Sequence, residues 1–105
     1  MTDKLINSLW EAIEGEGYYK EDIISSSRKR EYVDVRVAIS QLLYYRLGLT
    51  QLQIAKILNR HEHSIVNYWV NCMDDRDNFE YREITRILNR VVDKYEEHID
   101  KFEYV

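Results

Sequence analysis

The chain has 105 residues, 45% apolar and 32% charged, a balance typical of one ordinary globular domain. Its single cysteine, Cys72, excludes an internal disulfide; since the N-terminus has no secretory signal pattern, we expect a cytoplasmic protein. A formal net charge of −4 argues against a polyanionic partner, provided that the charge is evenly spread.

The charge is not evenly spread. Residues 1–27 carry two basic and six acidic side chains, and residues 71–105 carry six and ten. Residues 28–70 between them carry seven basic side chains against three acidic ones. This asymmetry allows the middle segment to meet nucleic acid although the whole chain is acidic.

The apolar pattern predicts helices along almost the whole chain. There are no prolines and only three glycines, and a fold of strands and tight turns would need more of these turn-forming residues. Apolar residues recur every three or four positions over residues 3–14, which predicts a first helix. A second, longer helix is predicted over residues 31–46, with Gly48 positioned to end it.

Two short helices are predicted next. Thr50 and Gln53 form the pattern of a capping box, which opens a short helix. Asn59 and Arg60 are expected to form the turn, and the stretch RHEHS, residues 60–64, is expected to start the following helix. A last helix is predicted from about residue 79 to residue 102.

These elements predict an all-α fold of five to six helices that contains a helix-turn-helix and a long C-terminal helix. We expect a single domain over residues 1–105. Within it, residues 1–27 form an N-terminal helical extension, and residues 28–71 hold a basic loop, the long helix and the helix-turn-helix. The long C-terminal helix occupies residues 78–103.

A helix-turn-helix directs the start of its second helix at the edges of bases in a major groove. Charged and polar side chains at that position have hydrogen-bonding reach to bases and phosphates, while the apolar side of the helix packs behind them. The RHEHS stretch, followed by an apolar run, has this composition. It therefore indicates DNA contact.

From about residue 27 to residue 70 the chain resembles the C-terminal DNA-binding domain of the bacterial replication initiator DnaA, a Trp-repressor-like helix-turn-helix. SRKREYVDVRVAI, residues 27–39, is similar to the basic loop and the start of the long helix in that family. LTQLQIAKIL, residues 49–58, resembles the first helix of the pair. RHEHSIV, residues 60–66, occupies the place of the family signature Gly-Arg-Asp-His-Thr-Thr-Val.

The resemblance implies two sets of DNA contacts. Four residues are expected to contact bases: Glu62, His63, Ser64 and Ile65. Eight are expected to contact phosphates or the minor groove: Arg28, Lys29, Arg30, Arg36, Thr50, Gln51, Arg60 and His61. The chain departs from the signature where Arg60 replaces glycine, His61 replaces arginine and Ile65 replaces the second threonine.

We therefore expect a sequence-specific double-stranded DNA-binding protein that acts in replication control or transcription regulation and associates with the nucleoid. The phosphate-binding pattern G-x-x-x-x-G-K-[ST] of an ATPase does not occur in this sequence. No catalytic residues, cofactor, small-molecule substrate or membrane partner is expected. His61 and His63 do not share a face of a helix, so no metal site is expected either.

A second hypothesis belongs to another class of function. The chain is also consistent with a protein-interaction adaptor for a replication or transcription factor, in which the helix-turn-helix is retained as a scaffold. Its overall acidity and its altered signature favour this interpretation. The long C-terminal helix would in either case be available to form a homodimer or to bind a protein partner.

Overall fold

The computed structural model describes the backbone of residues 2–72 and 78–103 and the side chains of residues 3–72 and 78–97. Within these ranges the chain forms helices and no strand, so the all-α prediction is confirmed. The helices are α1 (Thr2–Glu14), α2 (Lys20–Ile23), α3 (Arg30–Gln41), α4 (Gln51–Ile57), α5 (Ser64–Val70) and α6 (Phe79–Glu103).

One hydrophobic core runs through all six helices. Each helix contributes at least one buried apolar side chain, among them Leu9, Ile23, Val35, Ile54, Val66 and Leu88. Helix α3 is buried on every side from Asp34 to Ser40, and it packs against α2, α5 and α6. It is therefore the central helix, on which the other elements are positioned.

The first helix forms as its apolar pattern predicts. Its buried face consists of Leu5, Leu9, Trp10 and Ile13, and this face packs against α6. Gly17 has a φ of 93°, in the left-handed region that glycine adopts without a steric penalty. The chain reverses there, and the Tyr18 backbone N–H donates to the Ile13 carbonyl at 3.1 Å.

The second predicted helix ends at Arg46 as predicted, and Gly48 after it has a φ of 69°, but the last five residues of the helix are not α-helical. The α-helix stops at Gln41, and Leu42–Arg46 continue as a π-helix, whose hydrogen bonds span five residues instead of four. This wider turn changes the faces of the residues that follow. Tyr45 is exposed, and its hydroxyl donates to the Val70 carbonyl at 3.0 Å.

The capping box at the start of α4 is confirmed. The Thr50 hydroxyl accepts from the Gln53 backbone N–H at 3.1 Å, and the Gln53 side-chain oxygen accepts from the Thr50 backbone N–H at 2.8 Å. Two of the backbone N–H groups that a helix start leaves without partners are satisfied in this way. Ile54 and Ala55 then fix α4 on the core.

The predicted start of the next helix is wrong by about four residues, because α5 begins at Ser64 and not at Arg60. Asn59 adopts a φ of 58°, and the Arg60 backbone N–H donates to the Ala55 carbonyl at 2.7 Å. The Asn59 backbone N–H donates to the Lys56 carbonyl at 3.2 Å, which completes a Schellman motif at the end of α4. Residues 59 and 60 are thus used to close one helix, and the next starts only after residues 61–63.

The last helix is confirmed as the longest. Its buried side chains are Ile84, Leu88 and Val92, which lie one turn apart on the face toward α1 and α3. Arg46 is held beside this helix by hydrogen bonds to the Asp93 and Glu96 carboxylates at 2.8 and 3.0 Å. The apolar positions predicted at residues 99 and 102 lie outside the described side chains.

Candidate nucleic-acid interface

Arg36 fixes the segment that leads into the basic residues. It is 3% exposed, and its guanidinium donates to four backbone carbonyls of residues 22–27. The acceptors and distances are Ile23 at 2.7 Å, Ser27 at 2.7 Å, Ser25 at 2.9 Å and Asp22 at 3.3 Å. We therefore remove Arg36 from the expected DNA contacts, because its donors are occupied inside the protein.

Arg60, which follows Ser25 by 35 positions in the chain, contacts the same segment. Its guanidinium donates to the Ser25 carbonyl at 2.9 Å and lies 5.6 Å from the centre of the Trp69 ring. The side-chain amide of the neighbouring Asn59 donates to the Ile24 carbonyl at 3.4 Å. The turn after α4 is thereby joined to a segment 35 positions earlier in the chain.

These contacts bring two distant stretches of polar sequence close together. The backbone at Ser25 touches Arg60, and a chain of three residues from Ser25 to Arg28 spans at most about 11 Å. The basic residues 28–30 thus directly follow the segment that Arg60 joins to the turn before α5. Sequence periodicity contains no information on this contact.

The guanidinium groups of the buried Arg36 and the partly buried Arg60 are positive charges that donate to backbone carbonyls. Burial, and secondly the nearby positive charge of Arg60, lowers the pKa of Arg36 to about 10, so the group stays protonated at neutral pH. Burial also lowers the pKa of Arg60. Among the described residues neither group forms a salt bridge, and carbonyl dipoles compensate the buried charge instead.

The three basic residues that follow the fixed segment are exposed. Arg28 directly follows Ser27, whose carbonyl is held by Arg36, and all three precede or start α3. The Lys29 ammonium lies 5.6 Å from the centre of the Tyr32 ring, and the Arg30 guanidinium is 4.0 Å from the Asp34 carboxylate. The three side chains are thus exposed, although Lys29 and Arg30 also contact residues of α3.

The turn and the start of α5 expose every side chain expected to contact bases. Glu62, His63, Ser64 and Ile65 are all exposed, as is His61. The Ser64 hydroxyl donates to the Glu62 carboxylate at 3.3 Å. Since α5 begins at Ser64, Glu62 and His63 project from the turn and not from a helix.

Thr50 and Gln51 are partly committed to other contacts. The Thr50 hydroxyl accepts a hydrogen bond within the capping box. The Gln51 amide nitrogen donates to the side-chain oxygen of Asn67 at 3.0 Å, which links the start of α4 to the middle of α5. Asn67 also accepts from the Asn71 side chain. These bonds link the two short helices, and they engage the Gln51 amide nitrogen and the Thr50 hydroxyl within the protein.

The outer face of α5 carries a residue that sequence reasoning missed. Tyr68 is 57% exposed, and it lies one turn after Ile65, which is 39% exposed. The inner face consists of Val66, Trp69 and Val70, all buried. The three-residue spacing from Ile65 was the available signal in the sequence.

Other kinds of site find little support in the part of the chain that is described. His61 and His63 are exposed, and no three His, Cys, Asp or Glu side chains in that part are grouped to hold a metal ion. None of the helices in the described ranges combines the length and the apolar character needed to cross a membrane.

No family model, curated protein or solved structure matches this chain.

Proposed function

We propose that this protein binds double-stranded DNA sequence-specifically, as a replication-control or transcription-regulating protein without an ATPase of its own. The basic residues 28–30 contact phosphates and the minor groove, while residues 61–65 contact base edges in the adjacent major groove. Phosphate contacts supply affinity and register, and base contacts supply discrimination.

One observation carries this proposal: Arg36 and Arg60 both bind the Ser25 carbonyl. Through that shared acceptor, the segment before Arg28 is held against the turn that presents Glu62 and His63. A DNA-binding module needs a phosphate-contacting element and a base-contacting element in a fixed relation, because register decides which base each side chain meets. Two interior arginines provide such a relation.

The charge distribution supports the same function. The exposed basic residues near the turn are Arg28, Lys29 and Arg30, and the net charge of residues 28–70 is positive. Binding that depends on neutralising phosphates releases counterions, so the affinity should fall steeply as salt is raised.

The test is fluorescence anisotropy of a labelled duplex that carries a DnaA-type box, compared with a scrambled duplex of equal composition, at low and near-physiological salt. We expect preferential binding that weakens with salt. His63→Ala should remove about 1–3 kcal/mol of the preference for the box and leave binding to the scrambled duplex unchanged. Glu11→Ala, an exposed substitution on α1, is the control and should bind like the parent protein.

The competing proposal is a protein-interaction adaptor for a replication or transcription factor. It is supported by the net charge of −4 and by the exposed, uncharged outer face of α5. An adaptor would bind neither duplex at low salt, and this result would replace the first proposal with the second.

A further inference from the structure

The exposed face of α5 differs from the turn before it in having no charged side chain. Within Ser64–Val70 there is no acidic or basic side chain, although charged or histidine side chains occupy positions 60–63 just before it. Ile65 and Tyr68 are its two large exposed side chains. A helix that faced phosphates alone would be expected to carry lysine or arginine there.

The side-chain oxygens of Asn67 and Ser64 in this helix are already engaged. The Asn67 side-chain oxygen accepts hydrogen bonds from Gln51 at 3.0 Å and from Asn71 at 3.2 Å. The Ser64 hydroxyl donates to Glu62. Ile65 and Tyr68 thus remain as the side chains through which this face meets a ligand.

Ile65 and Tyr68 also have a suitable spacing. Residues three apart on a helix lie on one face, with Cβ atoms about 5–6 Å apart. Successive bases along one strand are about 3.4 Å apart along the helix axis. The two side chains therefore reach bases that are one or two steps apart.

Only one apolar group is displayed in the major groove, the 5-methyl group of thymine. Guanine is most often recognised by arginine or lysine, which α5 lacks. Adenine is recognised by both the oxygen and the nitrogen of an asparagine or glutamine amide, and the Asn67 oxygen already accepts two hydrogen bonds. The exposed face of α5 thus matches thymine better than any other base.

We propose that Ile65 and Tyr68 recognise two thymine methyl groups, one or two base steps apart on one strand of the target site. This inference rests on the proposed function, since it assumes that α5 enters the major groove. The buried side chains Val66 and Trp69 support these positions from behind, so the contact does not require the helix to reorganise.

The experiment uses the intact protein and the duplex that it enriches most strongly from a randomised library. Each thymine of that duplex is replaced in turn by deoxyuridine, which lacks only the methyl group. We expect a loss of about fourfold in affinity at each of two positions, the size expected for one buried methyl group. Replacement at the remaining positions should change affinity little.

Two variants show whether the protein side of the contact is correct. Ile65→Ala and Tyr68→Ala should each bind the thymine and deoxyuridine duplexes equally at one of the two positions. Leu52→Ala is the matched control, because Leu52 is an apolar residue of α4 that is 55% exposed. This variant should still bind the thymine duplex more tightly than the deoxyuridine duplexes at both positions.

The outcomes separate this inference from the proposed function. Selective, salt-sensitive binding without any deoxyuridine effect overturns the thymine contact and leaves DNA binding intact. A deoxyuridine effect that persists in both alanine variants also overturns it, since the methyl group would then act through DNA shape. If no duplex is enriched, DNA binding itself fails, and the exposed face of α5 is instead a surface for a protein partner.

Discussion

The basic side chains of residues 28–70 fall into two groups with opposite surroundings. One group donates hydrogen bonds to other parts of the protein and consists of Arg36, Arg46 and Arg60. The other group is exposed and consists of Arg28, Lys29, Arg30 and Lys56. The two groups are mixed along the sequence, and their composition does not distinguish them.

The difference shows that a count of charges describes a ligand surface poorly. Seven basic residues occur in this segment, and four of them have exposed side chains. The others position the backbone on which exposed residues are carried, most clearly at Arg36 beneath residues 22–27. An arginine can therefore shape a surface without being exposed on it.

The largest expected effect is at Arg36. Arg36→Met keeps much of the side-chain volume but leaves four carbonyl acceptors without their donor, so we expect the free energy of unfolding to fall by about 3–5 kcal/mol. Urea unfolding followed by circular dichroism measures this loss. Arg28→Met is the matched exposed control and should change stability by no more than about 0.5 kcal/mol. Equal losses in the two variants would contradict the division into groups.

The next effect concerns binding rather than stability. The triple variant Arg28→Ala/Lys29→Ala/Arg30→Ala should lose up to three phosphate contacts, which lowers DNA affinity by about a hundredfold at near-physiological salt and reduces the salt slope by about 2–3. Anisotropy titrations at several salt concentrations measure both quantities. The control removes the same charge from α6, as Arg86→Ala/Arg90→Ala/Lys94→Ala. If the two triple variants lose the same affinity, the contact is a general charge effect and not a local one.

Arg60 belongs to the first group, but its side chain is only partly buried. Arg60→Ala removes the hydrogen bond to the Ser25 carbonyl and the contact with the Trp69 ring, and we expect a loss of about 1–2 kcal/mol. For a domain of this size, each kcal/mol lowers the melting temperature by about 4–8 °C. Lys56→Ala, in the same turn region, should melt within about 2–4 °C of the parent protein. A melting temperature unchanged by Arg60→Ala would show that the turn is held by other contacts.

The smallest effect is expected at the ion pairs of Arg46. Its guanidinium binds Asp93 at 2.8 Å, but that carboxylate is 66% exposed. Asp93→Asn should therefore cost no more than about 0.5–1 kcal/mol, and the cost should shrink at high salt. Unfolding in low and high salt tests this expectation, and a loss as large as that of Arg36→Met would place Arg46 among the buried anchors.

Most of the fold was predictable from local patterns. The face of Leu5, Leu9 and Ile13 repeats at helical spacing, and the Thr50–Gln53 capping box needs only its own four residues. The start of α5 was not predictable in the same way. Residues 60–64 look like the beginning of a helix in sequence, but Arg60 together with Asn59 closes α4 through a Schellman motif, and both side chains contact residues 24–25.

The residues of the candidate site were likewise predictable only in part. The resemblance to the DnaA domain selected Glu62, His63, Ser64 and Ile65, and all four are exposed in the structure. It also selected Arg36, which is buried, because the resemblance compares positions along the chain and not the environment of a side chain. Tyr68 was missed since an aromatic residue on a small helix more often fills the core.

By itself, the sequence determined the helices, their caps and the sign of each segment's charge, because these depend on residues within a few positions of one another. Only the tertiary structure decided which arginines face solvent, where α5 begins and which stretches meet at Ser25. The contacts of Arg36 and Arg60 run to backbone carbonyls 9 to 35 positions away. Every residue type has such a carbonyl, so no side-chain pattern marks in advance which one an arginine will bind.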